Sequence, residues 1–232
     1  MPAPSLPELK NATDAGLLSL VANGSHAAFE VLMRRHNQAL YRTARSIVRD
    51  DAEAEDIVQE SYLHAYRNAA GFRGEASPAT WLTRIVINEA NGRLRRTRRR
   101  ARIVQLIPGA GAGAPADAGD AGGIDTDMDG HGAEPDEQVL RGEARRLIEA
   151  RIDALPGRLR TVFVLRAVQE LSVEETADLL GIPEATVRSQ FFRARAILRE
   201  ALARDFDQAV ETAFTFDGAR CDRIVAGVLG RL

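Results

Sequence analysis

Between residues 14 and 102 the apolar positions recur at three- and four-residue steps and no run alternates with period two, so the pattern predicts helices and no strands. From Asp14, the residues Leu17, Leu18, Leu20 and Val21 predict a short helix stopped near Asn23-Gly24. Ser25 caps a longer one, whose stripe of Phe29, Leu32, Met33, His36, Leu40, Tyr41, Ala44 and Val48 continues to Arg49. A third helix starts at Asp50-Asp51. It faces inward with Ala54, Ile57, Val58, Ser61, Tyr62, Ala65 and Tyr66, and outward with Glu53, Glu55, Asp56, Gln59 and Glu60. That acidic side is either a solvated face or a docking surface for a basic partner. The polar run Phe72-Arg73-Gly74-Glu75-Ala76-Ser77-Pro78 reads as a loop. Behind it Trp81, Leu82, Ile85, Val86 and Ile87 mark a fourth helix, with Arg84, Asn88, Asn91 and Arg95 on its other sides. The proline-bearing residues 1–12 are expected to fray.

The pattern then breaks. Ile103, Val104, Leu106 and Ile107 make a short apolar opening, after which glycine, alanine, proline and aspartate dominate to residue 134. Too little apolar surface is available there to offset ordering entropy, so residues 103–134 are expected to form a flexible linker. A second helical unit begins near Pro135. Val139, Leu147, Ile148, Ile152 and Leu155 mark a helix stopped by Pro156-Gly157, and Leu159, Val162, Phe163, Leu165 and Val168 mark the next. Ser172-Val173-Glu174-Glu175 is a capping box that opens a helix carrying Ala177, Leu179 and Leu180. Gly181 turns the chain, and Ile182-Pro183 leads into a further helix with Val187, Phe191, Ala194 and Leu198 inward. Two short helices around a glycine turn match a helix-turn-helix, which leaves Arg188, Ser189, Gln190, Phe192, Arg193 and Arg195 as candidates for a major groove and its phosphate walls. After Leu202 come Phe206, Val210 and Phe214 at four-residue steps, a break at Phe216-Asp217-Gly218, and a last amphipathic run with Ile224, Val225, Val228 and Leu229.

Charge sharpens this picture. With 31 basic against 33 acidic residues the chain is nearly neutral, yet the signs are segregated. Arg93, Arg95, Arg96, Arg98, Arg99, Arg100 and Arg102 crowd the end of the fourth helix, and the stretch after them has acids but no Lys or Arg. Lys10 is the sole lysine, so nearly all the positive charge is guanidinium, which forks onto phosphates and base edges. The single cysteine, Cys221, excludes an internal disulfide and a cysteine zinc cluster. His26, His36, His64 and His131 show no ligand spacing. The aspartates at 125, 127 and 129 lack the glutamate a calcium loop requires. No apolar run is long enough to span a bilayer and no signal peptide precedes the first helix, so a cytoplasmic protein without membrane insertion is expected. No nucleophile-and-base constellation and no phosphate-binding glycine loop is present, so neither an enzyme nor a cofactor is expected.

Three strings in this order resemble a known family. They are Asp51 to Tyr62; Phe72-Arg73-Gly74 with Thr80 to Asn88; and Leu155-Pro156 through Ala185 to Arg195. Together they resemble bacterial RNA polymerase sigma factors of the extracytoplasmic-function group, which keep only sigma domains two and four. The resemblance implies an all-α chain with domain two at 14–102, the acidic linker at 103–134, domain four at 135–202 and a helical extension at 203–232.

It also implies roles. Asp56, Gln59 and Glu60 would dock on the clamp helices of the polymerase beta-prime subunit, and the second domain on the beta flap. Phe72, Arg73, Gly74 and Ser77, with Asn88 behind them, would capture a base flipped from the minus-ten element, while Arg84, Arg93, Arg95 and Arg96 hold its backbone. Thr186, Arg188, Ser189, Gln190, Phe192 and Arg193 would read the minus-thirty-five element. Core polymerase, promoter DNA and an anti-sigma protein are the implied partners. Gln190 departs from the family, where a basic residue is common, and nothing transfers to the segment after Leu202. A stand-alone helix-turn-helix regulator and a sigma-like sequestering module are the alternatives.

Overall fold

The computed structural model describes residues 6–105, 135–212 and 218–231. All its regular elements are helical. The expected linker falls mostly on residues 106–134, outside the described residues.

The first body is built on α2 (Asp14–Ala22), α3 (His26–Val48), α4 (Asp51–Asn68) and α5 (Pro78–Gln105). Each of the first three starts where a side-chain oxygen takes up a free helical N–H: Thr13 accepts from Gly16, Ser25 from Ala28 and Asp50 from Glu53. Ser77 does the same for α5, its Oγ accepting from the Thr80 N–H at 3.0 Å. The expected stripes meet in one core, where Leu17, Leu32, Ala44, Ile57, Ala65, Leu82 and Val86 are fully or almost fully buried. Gly24, which ends the loop after α2, has φ 87°, a conformation that costs glycine nothing.

The extreme N-terminus differs from expectation. Leu6–Asn11 form a helix, α1, whose Leu9 is 1% exposed in the same core. Arg35 on α3 holds this segment by donating to the carbonyls of Lys10 at 2.6 Å and Ala12 at 2.8 Å. The apolar anchor, together with this clamp from a distant arginine, outweighs the fraying tendency of a terminus. At the other end α5 continues to Gln105, so Ile103 and Val104 belong to that helix and not to the opening of a linker.

The second body comprises α6 (Pro135–Asp153), α7 (Gly157–Phe163, continued by a π-turn over Val164–Val168), α8 (Val173–Leu180) and α9 (Glu184–Thr212). The capping box forms as the spacing predicts: Glu175 N–H donates to Ser172 Oγ at 3.0 Å and the Ser172 N–H donates to Glu175 at 2.7 Å. Gly181 ends α8 in the left-handed region at φ 63°. Val187 and Ala194 are fully buried and Leu198 nearly so. Two features go beyond what the spacing stated. Leu147 and Ile148 on α6 are 41% and 46% exposed and belong to no core. Helix α9 runs unbroken past Leu202 to Thr212, because no glycine or proline interrupts it, and Phe206 on it is 69% exposed. Helix α10 (Gly218–Leu229) follows, with Ile224, Val225, Val228 and Leu229 all exposed. Val210, Phe214, Phe216 and Cys221 have side chains outside the described residues.

The two bodies touch. Helices α7 and α8 lie on α3 and α5, where Ile87, Leu165 and Leu179 bury one another beside Ile47, Leu171 and Leu180. Around this patch Arg45 forks onto Asp153 at 2.7 and 3.1 Å, and Gln169 donates to the Ala39 carbonyl at 2.8 Å and to Thr43 Oγ1 at 2.5 Å. Ile87 thus leaves the stripe the sequence assigned to it: it serves the junction, not the core of its own body.

Candidate functional site

Three surfaces carry the chemistry singled out in the sequence. On α4 the residues Asp56, Gln59 and Glu60 are exposed, one turn apart on the side opposite Ile57 and Ser61. This acidic strip is not isolated. Arg93 Nη1 of α5 reaches Asp56 at 3.4 Å, so the acidic face and the arginine-rich helix end meet at that pair.

The loop ahead of α5 is anchored at both ends. Phe72 is half-buried with its ring edge-on to Trp81 at 5.5 Å, and Ser77 is engaged as the cap of α5, its Oγ also 2.8 Å from Thr80 Oγ1. Between these anchors Arg73 and Gly74 are exposed, and Gly74 sits at φ 73°. Trp81 packs against the first core, in keeping with its helical register. Arg84 and Asn88 are exposed one turn apart on α5, with Asn91 a further turn on. Beyond them Arg95 and Arg96 are exposed and Arg93 is half-buried; Arg96 is ion-paired with Glu89 at 2.7 Å. Loop, asparagine face and basic end therefore lie on one continuous helix and its lead-in.

The third surface is the N-terminal half of α9. Arg188, Ser189, Phe192 and Arg193 are exposed, Phe192 at 75%, while Thr186 and Gln190 are half-buried. Arg188 is paired with Glu184 one turn back, and the Ser189 hydroxyl donates to the Thr186 carbonyl at 3.0 Å. Phe191 packs inward against Phe163 with the guanidinium groups of Arg166 and Arg195 over its ring at 5.6 and 5.8 Å. A shallow groove of about 410 Å³ beside this helix is lined by Arg166, Val187, Arg188, Phe191, Phe192 and Arg199, among others. An exposed phenylalanine among arginines on one helix can combine apolar base contact with phosphate contact.

Sequence reasoning missed the ionic posts that position these surfaces. Asp14 accepts from Arg35 and His36, each at 2.7 Å; burial pushes its carboxyl up, but these bonds hold it below the usual aspartate range. Asp51 likewise stays low against the cost of burial, because Arg45 and Tyr41 donate to it. Arg160 was outside every predicted site, yet it is 2% exposed and spans the two bodies, its Nε donating to the Ser46 carbonyl at 2.6 Å. The Asp14 pairs join residues more than twenty positions apart and the Arg160 bond residues more than a hundred apart, which no local pattern records. Among the described residues, no cluster of His, Cys, Asp or Glu is arranged to hold a metal, and no helix is long and apolar enough to cross a membrane.

Comparison with known proteins gives the class first. Residues 32–100 match the sigma-70 region 2 family and residues 145–198 match sigma-70 region 4. The bodies are those of a sigma factor. Among relatives, the ECF RNA polymerase sigma-E factor of Haemophilus influenzae is 34% identical over 82% of this chain and 95% of its own length. The RNA polymerase sigma-H factor of Pseudomonas aeruginosa is 33% identical over 82% and 93%. The solved structure of CnrH in complex with the cytosolic domain of CnrY superposes with a TM-score of 0.53 at 26% identity, covering 83% of this chain and 98% of that one. The sigma factor RpoE of Bartonella quintana, solved with the anti-sigma factor NepR, shares the fold with a TM-score of 0.55 at 22% identity, over 75% and 96%. The chain belongs to the extracytoplasmic-function sigma factors of RNA polymerase, non-enzymatic factors that bring core polymerase to promoter DNA.

Proposed function

We propose that the sigma-factor activity of this chain is divided among its three surfaces in the way its motifs suggest. Domain two, residues 14–102 with α5 running on to Gln105, carries both polymerase and minus-ten contacts; the residues that follow, up to 134, link it to domain four at 135–202, which carries the minus-thirty-five contacts, and 203–232 form an extension. Asp56, Gln59 and Glu60 dock on the beta-prime clamp helices, and domain four meets the beta flap. Arg73 and Gly74 at the loop tip and Asn88 on α5 receive an unstacked base of the minus-ten element, and Arg84, Arg93, Arg95 and Arg96 hold the strand's phosphates. Phe72 and Ser77 serve that pocket by shaping the loop, since their side chains are engaged with Trp81 and Thr80. Thr186, Arg188, Ser189, Gln190, Phe192 and Arg193 face the minus-thirty-five element.

The observation that carries this reading is the meeting of an acidic face and a basic face at the Arg93–Asp56 pair, 3.4 Å apart, which lets one small body hold polymerase and DNA side by side. Work in the cytoplasm follows from that partnership. CnrH, a relative by fold and sequence, was solved with the cytosolic domain of CnrY. A protein antagonist of that kind, an anti-sigma factor covering the same surfaces, is the proposed regulator here.

Run-off transcription with core polymerase tests the assignment. Asn88→Ala is expected to lower transcription from a matched minus-ten element about tenfold, the size of one lost base contact of about 1–3 kcal/mol, while core binding stays intact. Equal loss of core affinity would contradict the role given to Asn88. Tight specific promoter binding by the free protein would favour a stand-alone regulator.

A further inference from the structure

We propose that α10 is the third helix of an arm on domain four, turning back beside α9 so that its apolar stripe covers the outer ends of α6 and α9. None of the proposed DNA or polymerase contacts falls on the segment after Leu202, so this role stands apart from them.

Helices α6 and α9 run antiparallel. Ile152 packs against the cluster of Leu155, Ala194 and Leu198. One residue back on α6, Arg151 forks onto Asp205 of α9, its Nε at 2.7 Å. Past this pair the apolar residues of both helices are uncovered. Leu147 and Ile148 lie one turn back on the α6 face that carries Arg151, and Phe206 follows Asp205 on α9. Each step along a helix turns the side chain by about 100°, so Phe206 lies beside the α6–α9 seam and forms an outer ridge with the two α6 residues.

Helix α10 brings a second apolar face. Ile224, Val225, Val228 and Leu229 recur at one- and three-residue steps, which sets them on one side of the helix, and all four are exposed. Single exposed apolar residues need no explanation, but two groups of them on one short stretch of chain mark a contact surface.

Chain length and register match the stripe to the ridge. Residues 213–217 join α9 to α10, a connection within the usual length between antiparallel helices, about 2–8 residues. Phe206 stands six residues before Thr212 and Ile224 six after Gly218, while Leu202 and Val228 each stand ten away. A hairpin therefore brings Phe206 level with Ile224 and Leu202 level with Val228, within about one turn of Leu147 and Ile148. The charges agree. Residues 203–212 carry Asp205, Asp207 and Glu211 against Arg204, whereas 218–231 carry Arg220, Arg223 and Arg231 against Asp222. So short a tether also holds α10 near its own ridge at an effective concentration of roughly millimolar, which a second copy in dilute solution does not match. Docked there, α10 fastens α6, on which the linker ends, to the far end of α9, whose first turns carry the proposed minus-thirty-five contacts.

The test uses the full-length chain in a Cys221→Ser background. Phe206→Cys with Ile224→Cys should form a disulfide within one chain on mild oxidation, read as a monomer on a non-reducing gel with both thiols lost. Leu63→Cys with Ile224→Cys, which pairs the stripe with an exposed position on the first body, should do so at least tenfold more slowly. Ile224→Asp with Val228→Asp should speed amide hydrogen exchange in the outer turns of α6 and α9 at least tenfold and lower the melting temperature by about 5 °C, while Arg231→Ala changes neither. Charges placed on a stripe that merely faces water leave exchange and melting unchanged, and that result overturns the arm. Disulfides formed between chains give the ridge to a second copy and overturn it too, as do equal oxidation rates for the Leu63→Cys and Phe206→Cys pairs. Run-off transcription enters none of these measurements, so a failure of the DNA assignment leaves their outcome readable.

Discussion

Asp14 shows how much a single carboxylate organises. It binds Arg35 and His36 on α3, and Arg35 in turn holds the carbonyls of Lys10 and Ala12, so one ionic post fastens α1 and α2 to α3 of the first body. Since its folded pKa lies below its ordinary value, it contributes stability above about pH 4 that is lost as pH falls through the folded value. Asp14→Asn should therefore cost about 1 kcal/mol in denaturant unfolding at pH 7, with the gap to wild type closing in strong acid. An equal gap at both pH values would rule out a charged role. Deeper in the same body, Leu32 is completely buried, and Leu32→Ala should cost about 2–5 kcal/mol by the same measurement. The Leu32 prediction could be made from helical periodicity alone. The Asp14 prediction could not, since its partners stand 21 and 22 positions away.

Local grammar succeeded for elements whose start and stop are written in adjacent residues. The box at Ser172 and Glu175, the turn at Gly181 and the caps at Ser25 and Asp50 are where the spacing puts them, because a cap needs only a side chain and an N–H three residues on. Ser172→Ala should destabilise domain four by about 1 kcal/mol and lower its melting temperature. It fell short where an element is decided from outside. The helix Leu6–Asn11 exists because the core accepts Leu9. Leu147 and Ile148 have the right spacing for a buried face, yet among the described residues they stay 41% and 46% exposed, so the periodic stripe marks the helix without setting its burial. Helix α9 runs on to Thr212, since no glycine or proline stands between Leu202 and Thr212.

At the scale of the molecule, the proposed assignment puts its two DNA-contacting surfaces about 25 base pairs apart on a promoter, while the two bodies pack on each other through Ile87, Leu165 and Leu179. Removing fifteen of the 29 residues between Gln105 and Pro135 leaves a tether of at most about 50 Å, shorter than the roughly 85 Å between promoter elements. Such a deletion should preserve core binding and reduce run-off from promoters that need both elements at least tenfold. Retained transcription would show that the reach of the linker is immaterial. The all-helical class, the two bodies and most candidate surface residues were legible from periodicity, capping and charge segregation, all of which are properties of neighbours along the chain. The partners of Asp14, the burial of Arg160 and Ile87, and the closing of α8 over the Asn88 face were decided only by tertiary structure. Desolvation and long-range hydrogen bonding depend on which surfaces meet, and a one-dimensional pattern carries the inward side of a helix but not the identity of what lies against its other side.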